Sequence, residues 1–299
     1  MRALAPPEIR AAYEAACRAE LDALKPGNVH AFAAGHRMTL DDFVRSAAVS
    51  APHLAAPGAG TGARAEAAVA ATLAAVGQNT NLGIVLLCAP LAAAAERPGA
   101  LRRALAAVLD GLDAADAAGI FAAIRHANPG GLGRAGRHDV TRLDGEAPLP
   151  SVAAAMAEAA DRDRIARAYV TGYRDLYRVG LPALRAARAR GLGPAWATSA
   201  VYLAYLAAFP DSHLVRKFGP AVAGQVRTTA AGIVAGLDLA DAPVAALLAF
   251  DAALKADGYN PGTSADLTVA TLFLDALDAA KADRAVPGRA GGRQAAQKS

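Results

Sequence analysis

Alternating runs of Val, Ile, Thr and Tyr are hard to find in this chain, and aromatic residues make up only 5% of it. That scarcity argues against β-sheet, whose strands draw on those residue types at period two. Cysteine is nearly absent. Cys17 and Cys88 stand far apart among apolar neighbours without metal-type spacing, which reads as two buried thiols in a reducing compartment. The N-terminus, Met1-Arg2-Ala3-Leu4-Ala5-Pro6-Pro7, lacks the apolar stretch of a secretion signal, so a cytoplasmic location is expected. Charge is missing from Ala67 to Ala95, yet Gln78, Asn79 and Asn81 interrupt that run. Its apolar halves fall short of the ~20 residues that span a bilayer, so no membrane partner is expected.

What the chain has in abundance is alanine within a 54% hydrophobic composition over 299 residues. That is ample for a core and favours closely packed helices. The net charge of +4 is local in origin. Four of the 31 basic residues, Arg284, Arg289, Arg293 and Lys298, follow residue 283 with no acid, leaving 27 against 27 acids in residues 1–283. With no basic stripe interleaved with aromatics, nucleic acid is not expected as a partner. The expected architecture is all-α: one multi-helix bundle over residues 1–283, with a Gly/Pro-rich loop at 125–150, then a disordered basic tail at 284–299.

The rest of the chain is organised around Gly77-Gln78-Asn79-Thr80-Asn81-Leu82-Gly83, a polar elbow between two uncharged helical stretches, Ala67–Val76 and Leu82–Ala95. Buried unpaired, such amides and hydroxyls cost about 1–3 kcal/mol each, so the fold or a ligand must satisfy them. The helix starting near Asn81 aims free backbone N–H groups at the elbow, a ready anion site; equally, Asn and Thr there could simply cap that helix. Before it, Ile9, Tyr13, Cys17, Leu21 and Leu24 mark an amphipathic helix. It stops at Lys25-Pro26-Gly27-Asn28-Val29-His30, where Lys25 sits beside a permissive loop. Past Gly35-His36-Arg37-Met38, Thr39 can cap a helix carrying Asp41 and Asp42 in its first turn. Glu66 is the last charge before the uncharged run, either half-buried near Asn79 or an exposed first-turn acid.

Later, Asp161-Arg162-Asp163-Arg164 opens a long helix with Ile165, Tyr169, Gly172, Leu176 and Val179 on one face, and Asp163 and Arg167 at ion-pair spacing. A helix marked by Trp196 and Tyr205 ends at Phe209-Pro210-Asp211-Ser212-His213-Leu214-Val215-Arg216-Lys217, where Asp211 suits an N-cap. Tyr259-Asn260-Pro261-Gly262-Thr263-Ser264-Ala265-Asp266-Leu267 leads into a last apolar helix, with Thr263 and Asp266 at capping-box spacing. Three helix starts therefore carry small polar or acidic residues after a bend, and their convergence is how an all-helical protein builds an anionic-ligand site.

Taken together, Lys25-Pro26-Gly27-Asn28-Val29, Gln78-Asn79-Thr80-Asn81-Leu82-Gly83, Asp211-Ser212-His213-Leu214-Val215-Arg216 and Ser264-Ala265-Asp266-Leu267 resemble, in identity and order, the motifs of the triphosphoribosyl-dephospho-CoA synthase family, over roughly residues 8–280. The resemblance implies an all-helical fold, Mg-ATP and dephospho-CoA. In that family a ribose hydroxyl of dephospho-CoA displaces adenine from C1′ of ATP. Where the family elbow reads Asn-Thr-His-Lys-Gly, this chain has Asn81 and Leu82, and Gly35-His36-Arg37-Met38 is a shortened form of another family pattern. The segments Asn128-Pro129-Gly130-Gly131 and Asp161-Arg162-Asp163-Arg164 look like a side branch of the family.

The expected function is pentosyl transfer from ATP with Mg²⁺. Alternatives are the same fold acting on another phosphorylated coenzyme precursor, such as that of a one-carbon carrier, and a non-catalytic nucleotide-binding protein. An oxocarbenium-like centre needs carboxylates, and a triphosphate needs cations and helix starts. On that division Glu66, Asp211 and Asp266 are the expected metal ligands or bases, with His36 as a further catalytic candidate. Lys25, Asn28, Asn79, Thr80, Asn81, Arg216, Lys217 and Ser264 are the expected nucleotide contacts. Partners are small molecules, and a homodimer is allowed.

Overall fold

The computed structural model describes residues 1–31, 39–127 and 149–283. His36, the segment 128–148 and the basic tail 284–299 lie outside the described residues. Within them there is no β-strand, and fourteen α-helices follow one another. They are α1 (Pro6–Leu21), α2 (Leu40–Leu54), α3 (Thr61–Val76), α4 (Leu82–Ala95), α5 (Leu101–Asp110), α6 (Ala114–Ala127), α7 (Val152–Ala159), α8 (Arg164–Thr171), α9 (Leu181–Ala189), α10 (Pro194–Ala208), α11 (Ser212–Phe218), α12 (Pro220–Gly236), α13 (Val244–Ala256) and α14 (Gly262–Ala282). This is the expected all-α bundle.

Two helices form its axis. α4 is apolar all round, with twelve of its fourteen residues buried, and such a helix has no solvent face and must be surrounded. It packs against α3, α5 and α14, while α14 also meets α1, α10 and α11. Lys281 on α14 fastens the far end of this pair. Buried to 1% exposure, its ammonium donates to the carbonyls of Arg2, Ala95 and Arg97 at 2.9, 3.1 and 2.6 Å. A cation there complements the C-terminal dipole of α4. α3 and α6 approach through two glycines, for a Cβ on Gly119 would stand 2.4 Å from the backbone carbon of Gly62. Cys17 and Cys88 are buried free thiols, as the sequence implies.

Three local readings need correction. α3 begins at Thr61, so Glu66 lies in its second turn. The long helix expected from Asp161 is broken: α8 ends at Gly172, with φ 60°, and Tyr173 also takes φ 60°. Tyr173 is held there by donating its hydroxyl to the carbonyl of Leu87 at 3.0 Å, and a π-helical turn, Leu176–Gly180, then leads into α9. Asp163 does not pair with Arg167. It caps α8 by accepting from the amides of Ile165 and Ala166 at 2.8 and 3.2 Å, and Arg167 faces Asp161 at 3.9 Å.

Candidate functional site

Four helix starts meet on one side of the α4–α14 axis. Asp211 caps α11, its Oδ1 accepting from the amides of His213 and Leu214 at 2.8 and 3.3 Å. Its Oδ2 accepts from the amide and hydroxyl of Ser264 at 2.7 and 2.8 Å, which ties α11 to the first turn of α14. Ser212, the next residue, accepts through its hydroxyl from the first amide of α8, that of Arg164, at 2.9 Å. Arg216, one turn along α11, donates to Asp163 at 2.5 Å. The start of α4 closes the group: a Cβ on Gly83 would stand 2.1 Å from Oδ2 of Asp266 and 2.8 Å from Cδ1 of Ile165.

Asp266 is therefore seated on the first turn of α4, in the space that the missing side chain of Gly83 leaves. It keeps partial exposure, and its carboxylate has no hydrogen-bond partner among the described residues. Burial, then the neighbouring carboxylate of Asp211, hold it well above the usual carboxylate range, against the pull of Arg216; Glu20 and Asp163 add to the rise. Asp211 is buried at 1% exposure. Burial raises its carboxyl too, but the Ser264 hydroxyl and three backbone amides oppose the shift. The two acids are thus unlike in chemistry: one has every lone pair engaged, the other has lone pairs to offer. The capping-box spacing of Thr263 and Asp266 goes unused, because α14 already begins at Gly262.

Beneath this group lies the Lys25 loop. Gly27, at φ 81°, lets the chain turn where a Cβ would come within 2.9 Å of Leu254 and Pro261. Lys25 is fully buried and paired with Glu20. Its ammonium also donates to Oδ1 of Asn28 at 3.1 Å and to the carbonyl of Val29 at 2.7 Å, so all three of its protons are engaged. Burial pushes Lys25 down and Glu20 up, each opposed by the other's charge. Asn28 in turn donates to Asn260 at 2.8 Å, which bolts the loop under the start of α14. Tyr202 and Ser199 on α10 hold the same loop through the carbonyls of Pro26 and Leu24, at 2.7 and 2.9 Å.

The elbow satisfies much of itself. Asn79 accepts from the amide of Leu82 at 3.1 Å, Thr80 shares a 2.6 Å hydrogen bond with Ser46, and Asn81 donates to Ser50 at 3.4 Å. Asn81 also lines a small cleft with Tyr13, Glu20, Phe43 and Ile84. Glu66 is half-buried on α3, with no hydrogen bond or ion pair among the described residues. Lys217 is exposed on the last turn of α11. The structure thus brings together Lys25, Asn28, Arg216, Ser264, Asp211 and Asp266. It leaves Lys217 on the surface.

Sequence reasoning missed Glu20, Asp163 and Gly83. A glycine one residue inside an apolar helix was the available signal for Gly83, since it costs about 1 kcal/mol there unless something approaches closely. The Asp163-Arg164-Ile165 run was the signal for a cap. Gly83→Ala is expected to leave the fold nearly intact, because the intruding atoms are side-chain ends that can swing away. It should cut turnover by at least tenfold by displacing the Asp266 carboxylate. A melting curve beside an initial-rate assay checks this, and an unchanged rate would refute it.

Among the described residues, no three His, Cys, Asp or Glu side chains form a metal-holding group, and no helix is long and apolar enough to cross a membrane. The chain matches, over residues 6–285, the family model described as ATP:dephospho-CoA triphosphoribosyl transferase. Its fold is similar to that of a solved protein from Archaeoglobus fulgidus described as a candidate triphosphoribosyl-dephospho-CoA synthase. The two are 23% identical with a TM-score of 0.61, over 79% of this chain and 98% of that one. None of the curated proteins matches.

Proposed function

The chain belongs to the ATP:dephospho-CoA triphosphoribosyl transferase family, and on that premise we propose that the reacting centre is Asp266 at the junction of α4, α8, α11 and α14. The activity that comes with the family is transfer of the triphosphoribosyl group of ATP to dephospho-CoA. The observation that carries the assignment is the Asp266 carboxylate itself, seated at the start of α4 with no hydrogen-bond partner among the described residues. A carboxylate so placed can take the proton of an attacking hydroxyl and face a cationic sugar carbon. Its high affinity for protons brings it closer to the working range of a general base.

Arg216 and the first turn of α4 are our choice for the phosphates, since backbone N–H groups and a guanidinium suit phosphate oxygens. Lys25 and Asn28 act by holding the start of α14, because their donors are already spent within the fold. Ser264 and Asp211 act in the same way from the other side. The local charge supports a metal. Glu20, Asp163, Asp211 and Asp266 outnumber Lys25 and Arg216, and that excess would repel a bare triphosphate. Of the three acids expected to bind metal, Asp211 has no lone pair to spare and Glu66, two residues from the Arg64 that pairs with Glu96 past the far end of α4, is not brought to this group, so a Mg²⁺ that enters on the triphosphate would be held chiefly by the phosphate oxygens. Its contribution would be to neutralise phosphate charge. Two buried free thiols support a reducing, cytoplasmic setting.

The deciding experiment incubates the protein with Mg-ATP, with and without dephospho-CoA, and follows free adenine by mass-resolved chromatography. Adenine released only in the presence of dephospho-CoA, together with a triphosphoribosyl adduct, is the expected result. A protein that binds ATP but yields no adenine would turn the search to another acceptor. Asn81 and Leu82, which stand where the family pattern has His and Lys, are the specific reason to include other phosphorylated coenzyme precursors in that search.

A further inference from the structure

The first turn of α14 contains a polar group that the roles above do not employ. Thr263 is 1% exposed, and its Oγ1 is buried with no hydrogen-bond partner among the described residues. A buried hydroxyl left in that state is costly, and a valine would fill the same space without the cost. The neighbouring donors are accounted for, because the amide and hydroxyl of Ser264 both go to Asp211. Thr263 is the hydroxyl left over at the start of a 21-residue helix. Three positions on, and so one turn away on the same face, comes Asp266, whose carboxylate is equally unengaged.

A ligand group that meets both must accept a hydrogen bond from the threonine and give one to the carboxylate. A phosphate only accepts, and Asp266 repels it; a hydroxyl does both. We infer that Thr263 and Asp266 together grip the nucleophilic hydroxyl of the acceptor, Thr263 Oγ1 donating to its oxygen while the hydroxyl donates to Asp266. This rests on the transfer reading above. In the step itself, the hydroxyl oxygen forms a bond to C1′ of the ATP ribose as the bond from C1′ to the adenine nitrogen breaks. The electron pair of that bond leaves with adenine, and the hydroxyl proton passes to Asp266 and from there through solvent to the departing base. Thr263 keeps its own proton and fixes the direction from which the oxygen attacks.

The test uses the full chain with Mg-ATP and dephospho-CoA and compares Thr263→Val and Thr263→Ser with the parent. Thr263→Val is expected to melt at or above the parent temperature, to lose about 10–100-fold in kcat and to keep its KM for ATP, whereas Thr263→Ser stays within a few-fold of the parent. A purely structural threonine gives the reverse, with Thr263→Val melting lower and kcat unmoved, and that overturns the inference. An intact kcat with a raised KM for dephospho-CoA overturns it too, since Thr263 would then touch a non-reacting part of the acceptor. If the parent itself releases no adenine, the transfer reading falls and this assignment falls with it. If the parent turns over and Thr263→Val does as well, this assignment falls alone.

Discussion

Asp266→Asn is expected to cut adenine release by about 10²–10⁴-fold, the range that a positioned general base contributes, without loss of the fold. The reason for the asymmetry is local. No hydrogen bond among the described residues is lost, and the shape is kept. Burial raises this carboxyl first, and the repulsion from Asp211, Glu20 and Asp163 that adds to the rise also disappears. The pH dependence follows in sign. A carboxyl whose folded-state pKa lies above its unfolded value binds its proton more tightly in the folded protein, so it favours folding at low pH. That contribution is lost as pH rises through the folded value. Between the ordinary aspartate range and the raised one, the parent should therefore lose stability relative to Asp266→Asn, while its turnover climbs as the base is freed. Urea titrations at several pH values, run beside rate profiles, check both limbs. An Asp266→Asn protein that retains its turnover removes Asp266 from the chemistry.

Asp211→Ala is expected to act in the opposite way, with stability failing first. Its carboxylate serves four donors, the amides of His213, Leu214 and Ser264 and the hydroxyl of Ser264. Removing the acceptor leaves buried donors without partners, a loss of about 3–5 kcal/mol in total. In a domain of this size that is a fall of roughly 10 °C in melting temperature. Because the same bonds join α11 to α14, whatever activity survives should be low as well, with Arg216 and Asp266 no longer held to each other. Asp211→Asn keeps half of the accepting capacity and should fall between. Calorimetry on the two variants checks the order, and an Asp211→Ala protein as stable as the parent would show that the staple is not needed.

These two aspartates also mark the limit of sequence reading. Both stand just after a bend, at or near a helix start, and the sequence offers them as equivalent candidates for metal or base. Only the hydrogen bonds separate them: Asp211 is consumed by two helix starts, whereas Asp266 sits against Gly83 from a helix distant in sequence. The same holds for Lys25. A lysine beside Pro26-Gly27 suggests a phosphate contact, but the folded chain surrounds it with Glu20, Asn28 and Val29, and it becomes a strut.

The sequence by itself determined the helical class, the uncharged central helix from Leu82 to Ala95, the elbow before it and the polar starts of α11 and α14. Those features follow from composition, periodicity and capping chemistry, which act over a few residues and are written in local order. Tertiary structure alone decided the break after α8, where Tyr173 reaches the carbonyl of Leu87, and the pairing of Arg216 with Asp163 across 53 positions. It also decided which polar groups remain unengaged. Whether a donor is spent or free depends on what the rest of the chain brings within about 3 Å of it, and no local pattern encodes that.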